Sequence, residues 1–310
     1  MGIIHRRDFL RGSVAAVAWS AAGGSASRLL RANPLGLPIG LELYTVRQQY
    51  LKDPKSTLQQ VAAIGYQEVE MFNFGHQKPA ELKAMVEAAG LKAPSGHTSA
   101  ESLNGDVAAL IASFHDAGLD YMICSFPGHR PGVAQPMFRI AGHPTEPNFD
   151  QEDYKWMADT FNKTGEKCRQ AGLQLGYHCH NLDFKLFGDQ PALDFLLQNT
   201  DPKLVQLEMD CFWVIRAGKD PVDYMKKYPG RIPIVHIKDM KPGLTPTTSI
   251  TQGGGNAFTE VGKGVIDWKR IFSAAPGAGV KHYFVEQDKC DGPPMESAKI
   301  SYEFLKNLQV

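Results

Sequence analysis

The chain has 310 residues, 43% of them hydrophobic, and its 33 basic residues balance 33 acidic ones, so the formal net charge is zero. This length and composition are those of a globular protein with one large α/β domain or two smaller ones. The neutral balance argues against nucleic acid or an anionic membrane as a partner, because surfaces that bind them usually carry excess Lys and Arg. The five cysteines have neither zinc-finger nor redox spacing.

Residues 1–33 have the pattern of a targeting signal. Arg6 and Arg7 precede Phe9 and Leu10, a short apolar run and then a group of small residues. The apolar run is too short to span a bilayer, and the order of the parts is that of a secretory signal. Because the Arg-Arg-x-Phe-Leu pattern resembles a twin-arginine signal, we expect export to a bacterial periplasm and no stable membrane association afterwards.

Residues 34–310 repeat one pattern eight times, in which a short apolar run is followed by an amphipathic helix often ended by glycine. In chain order the predicted strands are 39–46, 67–74, 91–98, 120–126, 174–180, 205–212, 232–237 and 282–287. The helices that follow them are predicted at 54–64, 79–89, 106–117, 152–171, 194–199, 221–228, 266–274 and 294–308. Eight such units predict a single (β/α)8 TIM barrel. A doubly wound sheet is the competing fold, but no glycine-rich dinucleotide fingerprint follows the first strand.

Two predicted connections are unusually long. Residues 127–148 are rich in Pro, Gly and His, and residues 241–264 are rich in Gly, Thr and Ser. Because most connections in compact domains are much shorter, we expect the first loop to act as a lid or substrate loop.

Ionisable side chains cluster at the carboxyl ends of the predicted strands. Asp210 and His236 end two successive strands of one β-α-β unit, so they emerge side by side at one rim of the barrel, a pairing that suits a divalent metal. The other polar or aromatic residues at strand ends are Glu42, Tyr44, Glu70, His97, His178, His180, Glu208, Trp213, Lys238, Glu286 and Asp288. In a barrel of this type the catalytic groups come from that rim.

Strand alternation narrows the choice of metal ligands. His178 and His180 are two residues apart and therefore face the same side of their strand, as do Glu208 and Asp210. Two imidazoles and two carboxylates directed inward can bind a divalent ion and leave positions for substrate oxygens. The imidazoles favour Mn, Co or Zn over Mg.

The chain resembles the xylose isomerase-like barrel superfamily, in its sugar phosphate isomerase/epimerase branch. The resemblance is carried by YHCHNLDF at 177–184, LEMDCFWVIRAGKDP at 207–221, VHIKDM at 235–240, EVGKGVIDW at 260–268 and YFVEQD at 283–288. It implies a metal held by Asp210, His236 and Glu286, together with a ligand from strand five. That ligand is commonly a glutamate in the family, and the matching position here is His178; the sequence leaves open whether His178 or His180 takes the role.

The resemblance also implies proton transfer next to a sugar carbonyl, assisted by the metal. Related epimerases use two glutamates, of which only Glu286 is retained here. We therefore expect His180 or Glu208 to transfer protons and Lys238 to stabilise an oxyanion. Substrate contacts are expected from three further side chains: His97, Glu70 and Trp213, the last by stacking.

The function expected from the sequence is a metal-dependent isomerase or epimerase of a free or keto sugar. The loss of the strand-five glutamate makes β-elimination from a keto sugar or 3-keto-glycoside the main alternative. A non-catalytic sugar-binding protein is a third possibility. A related branch cleaves abasic DNA with three zinc ions, but the neutral charge and the export signal argue against it. The sequence does not determine the oligomeric state.

Overall fold

The structure is a computed structural model that describes residues 33–133 and 146–310. The predicted targeting signal therefore lies outside the described residues, except for its last residue, and so do residues 134–145 of the predicted lid loop. The described residues contain eight parallel strands that close into a barrel. The strands are β1 (Gly40–Glu42), β2 (Glu68–Met71), β3 (Lys92–Thr98), β4 (Tyr121–Cys124), β5 (Gln174–His178), β6 (Val205–Asp210), β7 (Ile234–Ile237) and β8 (His282–Val285). The predicted (β/α)8 fold is confirmed.

Helices connect the strands and form the outer layer of the barrel. They are α1 (Arg47–Lys52), α2 (Pro54–Ile64), α3 (Pro79–Ala88), α4 (Val107–Asp116), α5 (Gln151–Gln170), α6 (Ala192–Gln198), α7 (Cys211–Arg216), α8 (Pro221–Lys227), α9 (Ile250–Gly253), α10 (Trp268–Ala278) and α11 (Pro294–Asn307). No helix in these two described segments has the length and apolar character needed to cross a membrane.

Six strands, β1, β2, β4, β5, β6 and β8, end earlier than the sequence predicts, and in β1 and β6 a carboxylate at the strand end starts a new turn. Glu42 accepts a hydrogen bond from the backbone N of Tyr44 (3.3 Å), and a 3-10 turn, Leu43–Val46, replaces the predicted end of β1. Asp210 accepts from the backbone N of Trp213 (3.1 Å) and begins α7, which the sequence did not predict. Such capping satisfies backbone N–H groups that the first turn would leave unpaired.

Apolar side chains fill the inside of the barrel below its carboxyl-end rim. Ile123, Ile234 and Phe284 belong to one buried cluster there. Glycines on neighbouring strands make room for these side chains. A Cβ added at Gly40 would lie 2.3 Å from the Phe284 ring, and a Cβ added at Gly176 would lie 2.5 Å from Ile123 Cδ1. This packed layer closes the barrel from below, so the polar residues at the strand ends form the floor of a site that opens at one rim.

Candidate active site

Four potential metal ligands meet at the carboxyl ends of adjacent strands. His178 ends β5, Asp210 ends β6, His236 lies in β7 and Glu286 follows β8. One ligand atom from each lies within 4.8 Å of the others, and all four side chains are buried. We call this set the four-ligand group. It consists of two imidazole nitrogens and two carboxylate oxygens, a donor set that suits a divalent transition metal.

A buried carboxylate fixes the orientation of each histidine in the four-ligand group. His178 Nδ1 donates to Glu208 Oε1 (2.7 Å), which leaves its Nε2 atom 3.8 Å from Asp210 Oδ2. His236 Nε2 donates to Glu70 Oε2 (2.5 Å), and its Nδ1 atom lies 2.8 Å from Glu286 Oε2. In metal sites the second nitrogen of a histidine ligand is commonly held in this way, because the contact selects the tautomer whose free nitrogen faces the ion.

His236 sits between carboxylates on both of its ring nitrogens. Burial alone would lower its pKa, but Glu208 and Glu70 outweigh burial and raise the pKa of His236 well above its ordinary value. The ring therefore carries a proton on Nδ1 as well as on Nε2 when no metal is bound. A metal bound to Nδ1 would replace the proton on Nδ1, and the hydrogen bond from Nε2 to Glu70 would remain.

Lys238 supplies a buried positive charge beside the same group. Its Nζ atom lies 3.0 Å from Asp210 Oδ2, 2.9 Å from Glu286 Oε2 and 2.8 Å from Asp288 Oδ1. Burial opposes the charge, but these three carboxylates outweigh burial and raise the pKa of Lys238 well above its ordinary value. The ammonium is therefore charged near neutral pH and can donate hydrogen bonds to an oxyanion.

The residues of the four-ligand group fit a divalent cation. Asp210 Oδ2 is buried and accepts no hydrogen bond from any described residue, although the Lys238 ammonium is close to it. A carboxylate oxygen that has an ion-pair contact but no hydrogen bond, next to two oriented imidazoles, matches the needs of a metal ion, which accepts lone pairs from all of them.

A second grouping, in which His97 and Glu208 join His178 and His236, is a poorer metal site. His97 Nε2 (3.0 Å), His178 Nδ1 (2.7 Å) and His236 Nε2 (3.1 Å) all face Glu208 Oε1. The carboxylate oxygen itself occupies the point on which the nitrogens converge, so the geometry is that of one acceptor shared among donors. The histidine contacts lower the pKa of Glu208 well below its ordinary value despite the opposing effect of burial. Glu208, which the sequence suggested for proton transfer, is thus fully buried and engaged with these rings.

His180 lies just beyond β5, with its ring next to the four-ligand group. Its ring centroid is 4.8 Å from that of His178 and 5.4 Å from that of Trp213. The Nδ1 atom is buried and has no hydrogen-bond partner among the described residues. Burial, together with the nearby His178 and Lys238, lowers the pKa of His180 well below its ordinary value. The ring is therefore neutral near neutral pH and able to accept a proton.

Asp183 positions His180 and was not identified from the sequence. Its carboxylate accepts from the backbone N of His180 (2.7 Å), from Tyr177 Oη (2.6 Å) and from Tyr154 Oη. Asp183 comes three residues after His180, the spacing of a capping contact at the start of a turn. That spacing was the available sequence signal.

The three predicted substrate contacts differ in their exposure to the site. Glu70 is fully buried and occupied by His236, whereas the His97 side chain is 10% exposed at the rim. Trp213 is buried, with its Nε1 atom unpaired among the described residues. A Cβ at Gly253 would lie 2.9 Å from the Trp213 ring, so the loop after β7 packs directly on this tryptophan.

Arg216 holds that loop in place. Its guanidinium donates to the backbone oxygens of Gly253 (3.0 Å) and Thr245 (2.6 Å), and its side chain is almost completely buried. Since these donors are used within the protein, Arg216 anchors the loop over Trp213.

The closed barrel defines the protein as a member of the TIM-barrel class, with potential metal ligands clustered at the carboxyl ends of the strands. The model of the xylose isomerase-like TIM barrel family matches residues 58–308. The chain belongs to that family.

Named relatives and solved structures agree with this assignment. The chain is 28% identical over 267 residues to inosose dehydratase 2 of a Bacillus cereus strain, covering 80% of this chain and 87% of the relative. A sugar phosphate isomerase/epimerase structure from Parabacteroides distasonis ATCC 8503 superposes with a TM-score of 0.67 at 24% identity, covering 87% of this chain and 94% of that one. The structure of the IOLI protein with a bound zinc atom superposes with a TM-score of 0.63 at 13% identity, covering 86% of this chain and 96% of that one.

Proposed function

We propose that this protein is a metal-dependent lyase that catalyses β-elimination from a keto sugar, a keto-cyclitol or a 3-keto-glycoside. The observation that carries the proposal is the four-ligand group, in which Glu208 and Glu70 orient both histidines toward two carboxylates. The similarity to inosose dehydratases supports elimination over the isomerisation that the sequence alone put first.

The strand-five position separates the two reactions chemically. An epimerase of the two-glutamate type needs a second carboxylate opposite Glu286, but this chain has His178 there, with its Nδ1 atom engaged by Glu208. His178 is thus suited to ligate a metal and is unsuited to exchange protons on the opposite face of a substrate. Elimination needs only one group that removes a proton and returns it to the leaving oxygen.

We assign the proton transfer to His180 and the oxyanion contact to Lys238. A divalent cation in the four-ligand group would polarise the substrate carbonyl and the adjacent hydroxyl. Neutral His180 removes the proton from the carbon next to the carbonyl, while Lys238 stabilises the negative charge on the carbonyl oxygen. A carbon–carbon double bond forms as the β carbon–oxygen bond breaks, and His180 returns the proton to the departing oxygen. The net change is the loss of water from a keto sugar or of an alcohol from a glycoside.

The experiment is to incubate full-length protein reconstituted with Mn²⁺, Co²⁺ or Zn²⁺ with an inosose and with a 3-keto-glucoside in D2O. Elimination gives a product lighter by one water or one alcohol, with new ultraviolet absorbance from the conjugated carbonyl. A product that keeps all carbon and oxygen atoms of the substrate and carries solvent deuterium at carbon would replace this proposal with isomerisation or epimerisation. Tight sugar binding without turnover would favour a non-catalytic sugar-binding protein.

A matched pair of variants tests the role of His180. We expect His180→Gln to lower kcat by about 10²- to 10⁴-fold, the usual contribution of a general acid–base group. His115→Gln is the control, because the His115 side chain is 70% exposed and faces Asp116 away from the rim. Full activity in His180→Gln would contradict the assignment.

We also propose that the protein acts in the periplasm after twin-arginine export. The proposal rests on Arg6 and Arg7 followed by Phe9 and Leu10. Replacing both arginines by lysine is expected to retain the protein in the cytoplasm, as measured by cell fractionation. Periplasmic recovery of that variant would contradict it.

A further inference from the structure

A second group of potential ligands lies on the side of the barrel mouth formed by the first three strands. Glu42 ends β1, Glu70 lies in β2 and His97 lies in β3. One ligand atom from each lies within 4.8 Å of the others. We call this set the three-ligand group; it shares no residue with the four-ligand group.

Both glutamates of the three-ligand group have an oxygen without a hydrogen-bond partner. Glu42 Oε1 accepts from Tyr44 N (3.3 Å) and Glu70 Oε2 accepts from His236 Nε2 (2.5 Å). Glu42 Oε2 and Glu70 Oε1 are buried and accept from none of the described residues. A buried carboxylate oxygen without a partner is unfavourable, which points to a ligand that those oxygens bind.

The positive charge next to this group comes from a histidine, His236, whose Nε2 atom lies 2.5 Å from Glu70 Oε2. In the described part of the chain, neither Glu42 nor Glu70 forms an ion pair with Lys or Arg. The buried ammonium of Lys238 is committed to Asp210, Glu286 and Asp288 on the other side of the mouth. The His97 side chain is 10% exposed, and its Nε2 atom lies 3.6 Å from Glu70 Oε2 and 3.0 Å from Glu208 Oε1.

We propose that Glu42, Glu70 and His97 form a second divalent-cation site, separate from the four-ligand group. Two carboxylates and one imidazole are a donor set for Mn²⁺, Fe²⁺, Co²⁺ or Zn²⁺. The three side chains provide three ligands and leave coordination positions open toward the mouth of the barrel, where the His97 ring is partly exposed. A cation there satisfies the two unpaired carboxylate oxygens and offsets the charge of the buried glutamates.

Glu70 links the second site to the first. One of its oxygens orients His236 of the four-ligand group, and the other is buried without a partner among the described residues. Variants of Glu70 would therefore disturb both sites. His97 meets the four-ligand group by ring packing against His178 and His236. Substitution of Glu42, whose hydrogen bond comes from Tyr44 N, therefore separates the two sites better than substitution of Glu70 or His97.

The test is the stoichiometry of metal bound to full-length protein, measured by elemental analysis and by Mn²⁺ titration with electron paramagnetic resonance detection of free ion. We expect about two ions per chain in the parent, and about one each in Glu42→Gln and in Asp210→Asn. Glu42→Gln keeps the shape of the side chain and removes its charge. Asp210 belongs only to the four-ligand group, and Glu42 belongs only to the three-ligand group. If the four-ligand group binds no metal, Asp210→Asn leaves the stoichiometry unchanged; if the second site does not exist, Glu42→Gln leaves it unchanged.

Two results would overturn the second site. One is saturation of the parent at about one ion with Mn²⁺, Co²⁺ and Zn²⁺ alike; the other is retention of both ions by Glu42→Gln. If Glu42→Gln does not fold, His97→Gln replaces it, and the same loss of one ion is expected. Retention of both ions by a folded His97→Gln variant would likewise contradict the second site.

Discussion

Replacing Glu208 by Gln tests whether a carboxylate below the rim controls metal binding above it. Glu208 Oε1 accepts from His178 and His97 and lies 3.1 Å from His236 Nε2. Glutamine has almost the same shape but no charge, and one of its terminal atoms becomes a donor. A histidine whose N–H faces the glutamine amide must either lose that hydrogen bond or move its proton to the other ring nitrogen. For His178 such a change of tautomer places the proton on Nε2, the atom directed at Asp210.

The size of the effect follows from the contacts that are lost. A hydrogen bond to a charged group contributes about 1.5 to 3 kcal/mol, and the amide oxygen retains one acceptor position, so we expect the metal-free protein to lose roughly that amount of stability. Removing a carboxylate that holds a metal-bound histidine typically lowers metal affinity by about 10- to 100-fold. This corresponds to about 1.4 to 2.8 kcal/mol of binding free energy.

The assay compares Zn²⁺ and Mn²⁺ affinities of parent and variant by competition with a chelator, with urea unfolding measured in parallel. Glu68→Gln is the matched control. Glu68 is also a buried carboxylate that accepts from a histidine, His282 (2.8 Å), but at the opposite end of the barrel. The control is expected to lose stability and to keep the metal affinity of the parent. A Glu208→Gln variant whose metal affinity stays within about threefold of the parent would refute the reasoning.

Three further substitutions test other parts of the structure. Burial raises the pKa of Asp183 to about 6, and its hydrogen bonds offset this only in part. The contribution of Asp183 to stability is therefore present below about pH 4 and is lost as the pH rises through about 6. Asp183→Asn should remove this pH dependence of the free energy of urea unfolding, and it should lower kcat because Asp183 positions His180. Lys238→Met should tighten Zn²⁺ binding in chelator competition while lowering kcat, because the ammonium contacts two proposed ligand oxygens. Gly264→Ala should lower the melting temperature by several degrees, since its Cβ would lie 2.0 Å from Asp239 Oδ1; an unchanged value would contradict the tight contact.

Much of the fold could be predicted because barrel strands and helices leave strong local patterns. The short apolar runs and the glycines after helices located all eight barrel strands, including β5 and β7. The ends of six strands were predicted too late, and in β1 and β6 the reason is that Glu42 and Asp210 interrupt the strands by capping backbone N–H groups. Such contacts depend on where a side chain points after the strand has formed, so strand periodicity alone does not reveal them.

The convergence of ionisable groups could also be predicted, but the contacts of each group could not. Strand alternation places Glu208 and Asp210 on the same side of β6, and the sequence treats them as equivalent. In the structure they pair with different neighbours: Glu208 is opposite His178 of β5, whereas Asp210 is opposite His236 of β7. This register decides which carboxylate reaches the free nitrogen of a histidine and which one holds the other nitrogen.

Depth in the barrel therefore separates residues that could touch a metal or substrate from residues that position them. A residue two positions earlier on a strand lies about 6.6 Å deeper, because each residue advances a strand by about 3.3 Å. Glu208 lies one such step below Asp210, and Phe284 one step below Glu286, where the barrel is filled by apolar side chains. A charge at the lower step has no access to solvent and must be satisfied by the residues above it. The histidines satisfy Glu208 in this way and are themselves oriented by it, so the charged layer and the proposed metal site stabilise each other.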